Sequence, residues 1–203
     1  SLTMKPFGTP SGLWPAAMLA ALLPAAILAE TQPSAAPAHA DAANSAADAL
    51  FKEPYIDIDE WRDSPVRHRY VHGGFRGTDM RFSFYMPPKE QFQGRFFQYV
   101  TPVPDSENLA QTVQAGDNNI GFAAASGAIF VETNGGGKGA TAGPAFTADP
   151  TIGAYRANAA AARFSRFVAQ EMYGPKNAEG RVYGYIYGGS GGGYRTLGSM
   201  EAT

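Results

Sequence analysis

Residues Gly188-Gly189-Ser190-Gly191-Gly192 set four glycines around one serine, between a run suited to a strand and a segment able to start a helix. Glycines on either side of a central residue let a backbone cross its neighbours without a Cβ collision. The spacing G-x-S-x-G is that of a nucleophile elbow, a tight strand-to-helix turn that projects the serine hydroxyl. Before it, Arg181-Val182-Tyr183-Gly184-Tyr185-Ile186-Tyr187 is dense in β-branched and aromatic residues, and its shortness suits a strand. After it, the chain can enter a helix, weakened by its own glycines. The alternative is a Gly-rich loop whose serine merely matches the pattern.

Nucleotide motifs are excluded by their own chemistry. A dinucleotide fingerprint counted from Gly189 and Gly191 ends on Tyr194, where glycine is needed for close helix packing. A phosphate loop needs a hydroxyl after Gly-Lys, whereas Gly137-Lys138 is followed by Gly139. The chain contains no cysteine, so disulfides, thiolate nucleophiles and zinc-thiolate sites are ruled out. A net charge of -2 without a basic patch gives no support to a nucleic-acid partner. Nothing in the sequence calls for a cofactor or a metal.

The amino end reads as an export signal covering residues 1–29. Lys5 supplies a basic start, Leu13 to Leu28 a largely apolar stretch, and small residues follow, with cleavage after Ala29 or after Ala40 in the Ala38-His39-Ala40 site. Pro15 and Pro24 interrupt a run already shorter than the ~20 residues of a spanning helix, so no stable membrane insertion is expected. An Ala/Pro-rich disordered tail is the alternative. Residues 30–50 are rich in Ala, Pro and Ser with few large apolar groups and read as a linker. Residues 51–203 are long enough for one core. The expected location is periplasmic or secreted.

Within that region, Arg67 to Val71 and Asp79 to Met86 read as an antiparallel hairpin around a Gly73-Gly74-Phe75-Arg76-Gly77 loop. Gly94 to Val100 is a third strand, and Glu107 to Val113 a helix that Asp105 or Ser106 could cap. Ser126 to Glu132 is a fourth strand. Tyr155 to Tyr173 has the clearest helical periodicity, with Ala160, Phe164, Phe167, Val168 and Met172 on one face and Gly174-Pro175 at its end. A hairpin followed by alternating strands and helices predicts an α/β fold, a mostly parallel sheet flanked by helices.

This order resembles the first half of the α/β-hydrolase fold. Gly94-Arg95-Phe96-Phe97, the Glu132-Thr133-Asn134-Gly135 strand ending, and the elbow ahead of Leu197 and Glu201 look most like the tannase and feruloyl-esterase group. That group usually carries a cysteine beside the serine, and Gly189 stands there instead. The resemblance implies an exported serine hydrolase acting on a small-molecule ester, with Ser190 as nucleophile and the Gly191 N–H as one oxyanion donor. The second donor is expected in the loop after the third strand, where Pro102 and Pro104 lack an N–H and leave Thr101 or Val103.

In the superfamily an acid and then a histidine follow the nucleophile. After Ser190 there are thirteen residues, with no histidine and only Glu201 as a carboxylate. The expectation is therefore an incomplete domain, inactive alone, whose fifth strand leaves an exposed edge through which copies could associate. His68 and His72 lie on one strand face about 13 Å apart, too far to share a metal, and at the far edge of the sheet. An alternative reading is a non-catalytic binding module that uses Tyr183, Tyr185, Tyr187 and Tyr194 as stacking surfaces, against the ordinary reading of core packing.

Overall fold

The computed structural model describes residues 48–113, 118–137, 149–175 and 180–203. The proposed leader, both cleavage positions, His39 and the linker up to residue 47 lie outside the described residues. At the start of the described chain, Asp48 accepts from the Leu50 N–H at 3.0 Å and so caps a 3-10 turn, Ala49–Phe51. The Asp48 carboxylate also pairs with Arg156, and Phe51 enters the core.

Six strands form one mixed sheet. They are β1 (Pro54–Arg62), β2 (His68–Phe75), β3 (Arg81–Met86), β4 (Arg95–Tyr99), β5 (Ala128–Thr133) and β6 (Tyr183–Tyr187). Their order across the sheet is β1-β2-β3-β5-β4-β6. The pairs β1/β2, β2/β3 and β3/β5 are antiparallel, and β5/β4 and β4/β6 are parallel.

The expectation of a mostly parallel sheet is corrected by these pairings. Short turns join β1 to β2 and β2 to β3, which forces antiparallel neighbours, because a parallel pair needs a long crossover. β3 then lies antiparallel to β5 as well. β1 itself was not anticipated, because its Pro-Tyr-Ile-Asp-Ile-Asp-Glu-Trp-Arg run is mostly exposed and carries acids at alternate positions. Its presence also explains Gly73 and Gly74, which lie inside β2 rather than in a loop. A Cβ on Gly73 would stand 1.9 Å from the Tyr55 carbonyl oxygen, so only glycine permits that approach.

Helices cover both faces. α1 (Asn119–Ala125) and the 3-10 turn Leu109–Thr112, where a longer helix was expected, lie against one face. Their cluster includes Tyr70, Tyr85, Ile120, Ala123 and Phe130. α2 (Ala157–Tyr173) follows a π-helical turn, Ile152–Arg156, and packs on the other face with Phe82, Phe84, Phe96, Ile129 and Val131. Alternation along β3 assigns Phe82 and Phe84 to the α2 side and Ser83 and Tyr85 to the α1 side. On the α2 side the rings of Phe82 and Phe84 stack at 4.4 Å, with Phe164 of α2 5.4 Å from Phe82. Gly174 ends α2 at φ 69°. α3 (Gly191–Glu201) starts directly after the elbow, and Arg163 of α2 donates to the Ala202 carbonyl at its far end. No helix among the described residues is long and apolar enough to cross a membrane.

Candidate functional site

The elbow is built by the close approach of two backbones. β6 runs parallel to β4 with Tyr99 opposite Tyr187, and the Val100 N–H extends the ladder to the Tyr187 carbonyl at 2.9 Å. Beyond that point the chain must cross the exit of β4 to begin α3. A Cβ on Gly188 or Gly192 would come within 2.4 and 2.3 Å of the Val100 carbonyl oxygen, and one on Gly191 within 2.5 Å of that of Pro102. These three positions admit no side chain. Gly189 has open space around it.

The turn's distortion falls on the serine. Ser190 sits at φ 54°, ψ -126°, and it is the only non-glycine residue with positive φ among those described. A β-carbon in that region is strained, at a cost of about 1–3 kcal/mol, and such residues cluster at working sites. Ser190 is exposed at the head of α3. The Gly192 and Gly193 N–H groups are committed to the carbonyls of Gly189 and Ser190 at 2.9 and 3.0 Å, so the first helical N–H outside that turn is that of Gly191.

Thr101 is brought against the same turn. Its hydroxyl donates to the Val103 carbonyl at 2.5 Å, and its own carbonyl accepts from Arg195 Nη1 of α3 at 2.6 Å. Both side-chain and carbonyl oxygens are thus fixed in place beside the Gly191 and Gly192 backbone. Three residues further, Pro104 borders a cleft of about 540 Å³ lined also by Asp79, Arg81, Glu107, Asn134 and Gly137. The loop from Thr101 to Glu107 therefore connects the elbow to the cleft at one edge of the sheet.

The histidines stay away from the elbow. Four inter-strand steps separate β2 from β6, roughly 19 Å across the sheet. His68 is buried with Nδ1 2.7 Å from the Val66 carbonyl, and burial holds its pKa below the ordinary value. His72 lies between Asp57, 2.5 Å from Nδ1, and Glu107, 3.3 Å from Nε2, and these carboxylates raise its pKa. Glu201 is exposed near the end of α3. Among the described residues no group of three or more His, Cys, Asp or Glu could hold a metal ion.

Two residues near the site went unrecognised in the sequence. Glu132 is only 3% exposed in β5. It accepts from the Tyr85 hydroxyl at 2.6 Å and from the Ala110 N–H at 3.1 Å. Burial pushes its carboxyl up to about 7, against these hydrogen bonds. The available signal was an acid inside an otherwise apolar Ala-Ile-Phe-Val run. Arg195 is the second, and a lone arginine in a glycine-rich helix offers no comparable pattern. The tyrosines of β6 also depart from the core-packing reading, since Tyr185 is 54% exposed and Tyr183 and Tyr187 are exposed on the same face. They extend an aromatic surface with Phe97, 5.7 Å from both Tyr185 and Phe122.

No family model matches the chain. No curated protein matches it either. Among solved structures it is similar to tannin acyl hydrolase from Aspergillus niger, at 18% identity and a TM-score of 0.43, over 66% of this chain and 27% of that one. The chain thus spans about a quarter of the length of that enzyme.

Gly192→Ala is expected to lower stability by about 1–3 kcal/mol through overlap with the Val100 carbonyl, while Gly189→Ala changes it by less than about 0.5 kcal/mol; urea midpoints check both. Glu132 predicts a pH dependence of definite sign. Its folded pKa of about 7 exceeds the ordinary 4.5, so the folded state holds the proton more tightly. The associated stability is full below pH 4.5 and is lost as pH rises through 7, by up to about 3 kcal/mol. Glu132→Gln keeps an acceptor for Tyr85 and cannot ionise, so its urea midpoint should gain on the wild type between pH 5 and pH 8 by roughly that amount.

Proposed function

We propose that residues 51–203 form the nucleophile-bearing part of a serine hydrolase that cleaves a small-molecule carboxylic ester through an acyl-enzyme on Ser190. The observation that carries this reading is the backbone of Ser190, a strained and exposed serine at the tip of a strand-to-helix turn. In this reading Oγ adds to the ester carbonyl carbon while its proton passes to an imidazole. Collapse expels the alcohol with that proton, and water then releases the acid. The Gly191 N–H receives the oxyanion, joined by an N–H from the Thr101–Val103 loop that packs on the elbow.

In this reading the imidazole and its orienting acid come from polypeptide outside the described residues, because His68 and His72 stand four strands away from β6. That polypeptide would also meet the outer edge of β6, which has no partner strand among the described residues and could otherwise pair with another copy. Export belongs to the same proposal and rests on the leader's pattern. The exposed tyrosines of β6 favour a second reading, a binding module for an aromatic or sugar ligand on the surface that includes Tyr183, Tyr185 and Tyr187.

A fluorophosphonate separates these readings. Residues 1–203 alone are expected to stay unlabelled, and Ser190 to be labelled stoichiometrically once polypeptide bearing the histidine is present. Rapid labelling of the isolated chain contradicts the external base. A protein that folds with a histidine beside Ser190 and still leaves it unlabelled contradicts the hydrolase.

A further inference from the structure

Arg195 occupies an unusual electrostatic position one turn and a half beyond Ser190. It is 5% exposed. Nε donates to the Gly153 carbonyl at 2.7 Å, and Nη1 to the Thr101 carbonyl at 2.6 Å and hydroxyl at 3.3 Å. Nη2 is buried without a partner among the described residues. It lies against Gly135, where a Cβ would come within 2.4 Å of it. None of these neighbours titrates.

Half-buried Arg163 and Arg166 donate to the Ala202 and Val182 carbonyls, and two other half-buried arginines have carboxylates, whereas Arg195 is the arginine enclosed in the core. Arg156 pairs with Asp48 and Asp149, and Arg69 with Asp59. Arg195 has neutral oxygens alone, and burial lowers its pKa with no acidic neighbour to offset it. A guanidinium nevertheless stays protonated. A full positive charge is thus enclosed in the carboxyl edge of the parallel strands with one donor unused, an arrangement that costs stability unless negative charge arises beside it.

We infer that Arg195 is the fixed cation of the elbow, a positioning residue that favours negative charge at position 190 while its bond to the Thr101 carbonyl holds the β4 exit against Gly191. The inference rests on the reading of Ser190 as a nucleophile, because it is there that an alkoxide and an oxyanion would develop. Five helical residues put about 7.5 Å of axial rise between the two positions, and helical side chains lean back toward the amino end. For scale, a unit charge about 8 Å from a titrating group in an effective dielectric of about 20 shifts it by roughly 1.5 pH units.

The absence of cysteine from the sequence makes Ser190→Cys a single-thiol reporter that needs neither acid nor histidine. The pH dependence of its alkylation by iodoacetamide should give a pKa about one unit or more below the ordinary ~8.5. Adding Arg195→Met should raise that pKa by about one unit, and adding Arg195→Lys should leave it within about 0.3. Equal values for Ser190→Cys with and without Arg195→Met, in folded protein, overturn the inference. If the double variant does not fold, the ratio of iodoacetate to iodoacetamide rates on Ser190→Cys alone decides. A ratio above that of free cysteine supports a fixed cation, and an equal ratio overturns it. A depressed thiol pKa in a protein whose Ser190 never accepts an acyl group would remove the hydrolase reading while leaving the field of Arg195 in place.

Discussion

The carboxyl edge of this sheet depends on a backbone crossing that only glycine can make. β6 pairs directly with β4, so the chain leaving β6 has to pass over the chain leaving β4 before α3 can start. Gly188, Gly191 and Gly192 lie against the Val100 and Pro102 carbonyls, where any side chain would overlap. The bend this requires is concentrated in Ser190, the one residue in the turn with both a side chain and a positive φ. The strain at the serine is therefore a consequence of strand pairing and of the short route to α3. A hydroxyl raised on such a turn is exposed by the same geometry that strains it.

The two faces of the sheet support this edge in different ways. On the α2 side, Phe82, Phe84, Phe96, Ile129 and Val131 give an apolar core with stacked rings, so burial of apolar area is the main stabilising term. On the α1 side the cluster is threaded by polar groups: Glu132 with Tyr85 and Ala110, and Asn118 with the Ala110 carbonyl and the Ile120 N–H. Such networks fix a loop in one arrangement only while every member stays satisfied. Here they hold the segment from Leu109 to Thr112 under β5, close behind the loop that begins at Thr101. The ionisation of Glu132 thus bears on how firmly that side of the edge is held.

Much of this architecture is legible in the residues, for identifiable reasons. The elbow is legible because its glycines answer a steric demand that no other residue meets, and β3, β4, β5, β6 and α2 are legible because each combines a period with a clear terminator. β1 is not, since an edge strand exposed along most of its length carries Asp57, Asp59 and Glu60 where a buried strand would carry apolar residues. Without β1, Gly73 and Gly74 look like a turn, and the nearness of Tyr55 to Gly73 and of the Met80 carbonyl to Gly74 explains them. α1 is short, begins at an Asn118 cap and contains Gly121, so its period is too brief to read. Arg195 and Glu132 derive their character from burial and from partners distant in sequence, to which the linear order gives no guide.

Together these features describe an exposed serine strained by its backbone, in a turn packed against the Thr101 loop that Arg195 holds. The central proposal is that Ser190 forms a covalent bond with an acyl group. The direct measurement is acid quenching of the histidine-bearing protein during turnover of a chromogenic ester, followed by peptide mass spectrometry. The expected result is the acyl mass on the peptide containing Ser190, and its loss in Ser190→Ala. Acylation of another residue, or turnover that persists at full rate in Ser190→Ala, would contradict it.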